Sequence, residues 1–266
     1  MRDPVPTRAE LRGQLVAARI AGDVATSRQN NMRNYRRVVT GDDYAALGLD
    51  LDPRWSPDTV LEVLARRCGV SPDPGYTEGP DTIDPDLTLD ALDAAAEFLR
   101  RAASARARVL IATGHPAGLL PVHIAVGAAL GDAGCTLLMP AAGWQYEEWR
   151  RHQEELREIR FVASVAMVSN RGELCHTHSA EPMRAMLRSL ARAGEAPPDL
   201  VFADHGWAGA AGEAGVPTVG FADSNDPALF LGAEEGKIAV SIPLDDNVEP
   251  HLYGPMTAYL LDRAKI

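Results

Sequence analysis

Five short polar segments each follow an apolar run: "TGHP" (113–116), "CHTHS" (175–179), "DHGW" (204–207), "DSNDP" (223–227) and "PLDD" (243–246). They hold His115, His176, His178 and His205, four of the seven histidines, together with Asp204, Asp223, Asp226, Asp245 and Asp246. Imidazole changes charge near neutral pH and is the commonest general acid or base. Carboxylate oxygens are what hard cations such as Mg²⁺ and Mn²⁺ take. An aspartate at the tip of a buried strand, as Asp204 is after "LVFA", must find a cation or donors, because an unpaired buried carboxylate is costly. The expected acid–base residues are therefore His115 and His205 with Asp204, and the expected ligands of one or two divalent ions come from Asp204, Asp223, Asp226 and Asp245. His176 and His178 are two apart, on one face of an extended segment, which suits a metal or a phosphate. Thr113 and Gly114 precede Pro116 and a helical pattern, and the free N–H groups and dipole of a helix start favour an anion. Arg28 and Lys237 are the cations expected to complete a phosphate site.

These segments also have structural readings: "TGHP" as a tight turn, Asp204 as a helix cap, one of Asp245 and Asp246 as a cap for the C-terminal helix. The elements that would position them decide between the two. From residue 107 onward, β-rich runs at 107–112, 135–140, 159–168, 199–203, 217–221 and 237–242 alternate with helical patterns at 117–132, 144–158, 180–194 and 250–264. That alternation, with continuous apolar strands, predicts an α/β fold: a mostly parallel, Rossmann-like sheet of about six strands covered on both faces by helices. In such sheets ligands bind outside the carboxyl ends of the strands, where all five polar segments fall. Residues 1–106 read as a helical layer packed on this sheet, with no clear strand. Its helices are 7–22, opened by a capping box of Thr7 and Glu10, 56–69, opened by Ser56 and Pro57, and 84–107. His123 reads as a core histidine, and His152 and His251 as surface.

A net charge of −11 argues against nucleic acid or an anionic membrane as partner. Three cysteines without metal-finger spacing, and no apolar leader at the N-terminus, place the expected protein in the cytoplasm. A small phosphorylated metabolite is the expected partner, and a homo-oligomer is left open. No GxSxG elbow, HExxH or DxDx(T/V) signature is present, so an activated water or a histidine is expected in place of an aspartyl-phosphate.

The same residues carry a resemblance. The segments "AARIAGDVATSRQNN", "DTIDPDLTLDAL" (81–92), "ATGHP" (112–116), "HTHS", "DHGW", "DSNDPALFLGAEEG" (223–236) and "PLDDNV" (243–248) together resemble an actinobacterial family labelled simply "phosphatase". Gln29 stands where an acidic residue is common there, and Ser224-Asn225 replaces Thr-Asp. The resemblance implies hydrolysis of a small phosphomonoester and assigns no roles to residues. The expected activity is a phosphoric monoester hydrolase assisted by a divalent metal, Mg²⁺ or Mn²⁺. The alternatives are a metal-independent sugar-phosphate isomerase or lyase using the His/Asp pairs, and a non-catalytic module that binds a phosphate ligand.

Overall fold

A computed structural model describes residues 5–150 and 153–266, so His152 lies outside the described residues. The chain opens with α1 (Arg8–Ala17), whose Thr7–Glu10 capping box forms as the sequence predicts. Next come β1 (Gly22–Ser27), α2 (Arg28–Val38), α3 (Asp43–Ala46), α4 (Pro57–Arg67), β2 (Pro80–Ile83) and α5 (Pro85–Ala105). The N-terminal part is therefore not all helical, because β1 and β2 pair as an antiparallel ribbon. Also absent from the sequence reading is α2, "RQNNMRNYRRV". It buries Asn31, Asn34 and Arg28 beside Met32, Tyr35 and Val38, so no apolar stripe advertises it.

The core then runs β3 (Arg108–Ala112), α6 (Pro116–Asp132), β4 (Thr136–Leu137), β5 (Gln145–Arg150), β6 (Gln153–Val162), β7 (Val165–Asn170) and β8 (Glu173–Cys175). It closes with α7 (Glu181–Arg192), β9 (Leu200–Asp204), α8 (His205–Glu213), β10 (Thr218–Ala222), α9 (Pro227–Glu234), β11 (Val240–Pro243), a 3₁₀ turn (Pro250–Tyr253) and α10 (Gly254–Ala264). Among the described residues the sheet has nine strands, not six, and is mixed. Its path is β11-β10-β9-β3-β7-β6-β5, with β4 also on β3 and β8 also on β7. Pairings from β11 to β7 are parallel, while β5, β6, β7 and β8 form antiparallel hairpins.

The helix expected over 144–158 is thus the β5–β6 hairpin. Its Glu- and Arg-rich sequence suits a helix locally, but Arg157 of β6 uses those charges in the ladder, pairing across strands with Glu148 of β5 (3.0 Å) and along its own strand with Glu155 (2.6 Å). The single strand expected over 159–168 is broken by a turn in which Ala163 adopts φ 51°. The main helix contacts fall into two groups. Helices α1, α5, α6 and α10 pack together, as do α2, α3, α4, α7, α8 and α9. Among the described residues, no helix is long and apolar enough to cross a membrane.

The strand order sets the position of the site. From β3 the chain goes to β4 and β7 on one side, then returns to lay β9, β10 and β11 on the other. The carboxyl ends of β3 and β9 therefore flank the point where the winding reverses, the place where an open α/β sheet leaves a crevice.

Candidate active site

Strand β3 ends at Ala112 and β9 at Asp204, and the two ends are stitched together. Asp204 Oδ1 accepts the Gly114 N–H at 2.6 Å, and Gly114 C=O accepts the Thr177 N–H at 2.9 Å. Only glycine fits at 114: a Cβ would lie 2.5 Å from the Thr177 carbonyl oxygen and 2.9 Å from His205 Cβ. Gly206 likewise leaves room for the 178–179 carbonyls, which a Cβ there would meet at 2.2 and 2.5 Å. His205 takes φ 48° at the first position of α8, a left-handed backbone that costs a non-glycine residue on the order of 1–3 kcal/mol. The surrounding hydrogen bonds hold it there and fix its ring.

Four imidazoles meet as a result. His176 stacks on His115 (centroids 4.6 Å) and on His178 (5.0 Å), and His205 stands edge-on to His176 (4.8 Å) and His178 (4.7 Å). His205 Nδ1 is 2.7 Å from Asp204 Oδ1, while its Nε2 is 3.4 Å from both Asp226 Oδ2 and Asp246 Oδ2. His115 Nδ1 lies 3.2 Å from Asp246 Oδ1. Behind Asp204, on the core side, His123 approaches Asp204 Oδ2 at 3.4 Å and hydrogen-bonds the Leu119 carbonyl through Nδ1. The histidine expected to be mere core thus backs the Asp204–His205 pair.

His115, His176, His178 and His205 line a cavity of about 510 Å³ together with Asp223, Asp226, Asp245 and Asp246 and with Asn30, Arg33, Asn34 and Arg37 of α2. The N-terminal ribbon ties the carboxylates down. Thr26 Oγ1 donates to Asp223 Oδ2 at 2.6 Å, and the Ala25 N–H donates to Asp245 Oδ2 at 3.1 Å. Ser224 donates to Asp223 Oδ1 through both its N–H and its hydroxyl. Neither Asp245 nor Asp246 caps the C-terminal helix: Asp245 Oδ1 instead accepts the Asn247 N–H.

Burial and charge divide the titrating groups. Burial raises Asp223 well above the usual carboxylate range, and Asp246 and Asp245 add to it. Burial lifts Asp226 to about 6 against the pull of His205, and burial also raises Asp245. For Asp204 and Asp246 burial is outweighed by hydrogen bonds and charge from His205 and His115 respectively, and both carboxyls are lowered. Burial alone would lower His205, but Asp204, Asp226 and Asp246 push it up to about 10. In His115 the same contest goes to Asp246, and the ring is raised. His176 falls to about 3, and His178 well below its usual value, through burial and then the neighbouring imidazoles.

Several expected site residues are elsewhere. Arg28 is fully buried, paired to Asp81 at 3.0 Å and bonded to the Tyr76 and Asp73 carbonyls, so it does not reach the cavity. Lys237 pairs with Glu213 and Glu235 at a distance from it. Thr113 and Gly114 lie behind the wall, and their N–H groups are taken by the Ala166 carbonyl and Asp204. The His115 N–H bonds Thr113 Oγ1, so no phosphate cradle is open at that helix start. Asp204 is completely buried and faces His205, Gly114 and His123 rather than the cavity. Three sets of side chains bring ligand atoms within 4.8 Å of one another: His115, His176 and His205; His178, His205 and Asp226; and Asp223, Asp245 and Asp246.

A family model described as Phosphatase matches residues 6–266, the whole of this architecture. The chain belongs to that Phosphatase family. It is also 52% identical over 261 residues, 97% of each chain, to a Streptomyces coelicolor protein named "Phosphatase SCO2771". That relative comes from an actinobacterium, as the motif resemblance implies. The matched span includes β1 and α2 as well as the sheet, so the cavity wall that the sequence reading missed lies within the Phosphatase match.

Proposed function

We propose that the protein is a phosphoric monoester hydrolase that acts on a small phosphorylated metabolite with the help of a divalent cation. The observation that carries this reading is the composition of one cavity: four buried carboxylates and four imidazoles, lined also by Arg33, Arg37, Asn30 and Asn34 of α2. Mutually repelling buried carboxylates call for a cation, and a cation facing guanidinium groups leaves a gap suited to a phosphoryl group. Membership of the Phosphatase family and the name of the Streptomyces relative support the same reading.

Asp223, Asp245 and Asp246 have the donor set for a hard ion, Mg²⁺ or Mn²⁺. Such an ion supplies neutralisation of phosphate charge and an acidified water when bound. The chain's own residues do the rest. Arg33 is exposed at the rim, where its guanidinium donates to Asn30 Oδ1. It takes the clamp role first expected of Arg28. Asn30 and Asn34 lie on the same face of α2, within reach of phosphoryl oxygens. His115, held against Asp246 and lining the cavity, donates the proton to the departing alkoxide.

Phosphate release from a panel of phosphomonoesters tests the proposal. The wild type should release phosphate with Mg²⁺ or Mn²⁺ and lose that activity in a chelator, and His115→Ala should be slower by roughly 10²–10⁴-fold. A chelator-indifferent wild type would sink the metal. A protein that releases nothing yet melts higher with one phosphoester would favour a binding module.

A further inference from the structure

The three ligand sets do not amount to three sites. His205 Nδ1 is committed to Asp204 at 2.7 Å, which leaves Nε2 as its one nitrogen able to hold an ion. The two histidine-containing sets both need that atom, so they are alternatives for a single ion. The set of Asp223, Asp245 and Asp246 shares no residue with either. The residues therefore provide for two ions with different donors, nitrogen plus oxygen at one and oxygen alone at the other. Asp246 lies between them: it belongs to the all-oxygen set while its Oδ2 is 3.4 Å from His205 Nε2, a position from which it can bridge.

The second line of support is what stands behind the imidazoles. A ligating histidine usually gives its other ring nitrogen to a carboxylate or a backbone carbonyl, which fixes tautomer and orientation. His205 has Asp204 in that place, itself buried and anchored by the Gly114 N–H. His178, 8% exposed, has the Tyr44 carbonyl oxygen 3.2 Å from Nδ1 and the Tyr44 ring stacked on it at 3.8 Å. Such support is superfluous for an all-oxygen magnesium site. Imidazole suits Zn²⁺ and similar ions, whereas carboxylate-only sets suit Mg²⁺ and Mn²⁺.

We infer that the centre is binuclear and unequal: an ion such as Zn²⁺ on His178, His205 and Asp226, beside Mg²⁺ or Mn²⁺ on Asp223, Asp245 and Asp246. The second ion rests on the function proposed above; the first does not. Asp204 is then a positioning residue for His205.

Metal analysis of full-length protein, stripped with chelator and re-equilibrated with Zn²⁺ and Mn²⁺ together, decides the matter. Two ions per chain are expected, one of each. His178→Gln should lose the zinc and keep the manganese, and Asp223→Asn should do the reverse. Asp204→Asn should weaken zinc roughly 10- to 100-fold and leave manganese affinity unchanged, a split that a merely structural role would not produce. Zinc-edge X-ray absorption of the wild type, which needs no variant to fold, should show nitrogen neighbours. Saturation by one ion, zinc retained in folded His178→Gln, or an all-oxygen zinc shell would each overturn the inference. One ion with intact phosphate release would overturn it alone. Two ions without phosphate release from any ester would instead overturn the proposed function.

Discussion

Neutralising a carboxylate in the cavity should stabilise the metal-free protein, and Asp226→Asn is the clearest case. Asp226 is 6% exposed, and burial leads its rise from an ordinary 3.8 to about 6. A carboxyl whose folded pKa is raised binds its proton more tightly in the fold than in the unfolded chain. Its favourable contribution is complete below pH 4 and is lost as pH rises through 6. Two pK units at 1.36 kcal/mol each make the ionised group a penalty of about 3 kcal/mol at pH 7. Asparagine keeps the shape and removes the charge. In chelator at pH 7, Asp226→Asn should therefore be more stable than wild type by about 3 kcal/mol, which for a chain this long is about 5–10 °C in Tm. The advantage should shrink as pH falls and vanish near pH 4. Added Mn²⁺ and Zn²⁺ should raise the wild-type Tm more than that of the variant, which has lost a ligand oxygen. Urea denaturation followed by tryptophan fluorescence, at several pH values with and without metal, measures all of this. A chelated variant less stable than wild type at pH 7 would refute the reasoning, because the attraction of His205 would then outweigh burial and the neighbouring carboxylates.

Gly114→Ala places a methyl 2.5 Å from the Thr177 carbonyl oxygen and against His205. It should cost about 1–3 kcal/mol of stability and displace the His205 ring, with phosphate release falling further than the stability loss explains; a near-normal rate would show that the packing there can yield. Arg28→Ala strips the partner from buried Asp81 and should destabilise by roughly 3–5 kcal/mol. Arg33→Ala, at the exposed rim, should leave the Tm unchanged while raising KM for a phosphomonoester roughly 10- to 100-fold, the worth of a charged hydrogen bond. If the two arginines exchange these phenotypes, the clamp is misassigned.

What the sequence disclosed follows from where periodicity and caps survive. The helices opened by Thr7, Ser56 and Asp84 carry caps or an early proline, and each begins where those residues predict. The strands before "TGHP", "DHGW", "DSNDP" and "PLDD" are buried, continuous apolar runs, so their carboxyl ends, and with them the polar segments, were legible. Hidden elements lack such marks. Helices α8 and α9 are buried nearly all round and alternate no polar face, and α2 turns asparagines and Arg28 inward. Residues 144–158 are charged enough for a helix, and only Arg157 meeting Glu148 across strands reveals the hairpin. The site divides in the same way. Its histidines and aspartates come from strand ends and could be read. Its N-terminal lining, Thr26, Asn30, Arg33 and Asn34, comes from elements without a signal. In sequence a buried arginine and a functional one look alike, and only Asp81 beside Arg28 in the fold shows which it is.

The uneven titration of the five carboxylates says where positive charge is missing. Asp204 and Asp246 are the two lowered ones, and each has an imidazole at hydrogen-bond range, His205 and His115. Asp223, Asp226 and Asp245 are raised: burial and the neighbouring carboxylates outweigh the hydroxyl and backbone N–H groups that bond Asp223 and Asp245, the pull of Arg19 on Asp245, and that of His205 and His115 on Asp226. Without a cation, His205 is pushed up to about 10 and its proton is the nearest compensation available to Asp226. A single imidazolium cannot also serve Asp223 and Asp245, which look across the ribbon toward Thr26 and Ala25. The fold spends β1, Ser224 and Asn247 on holding Asp223 and Asp245 beside Asp226 at one cavity, an under-compensated group of carboxylates that the cation of the proposed function would complete.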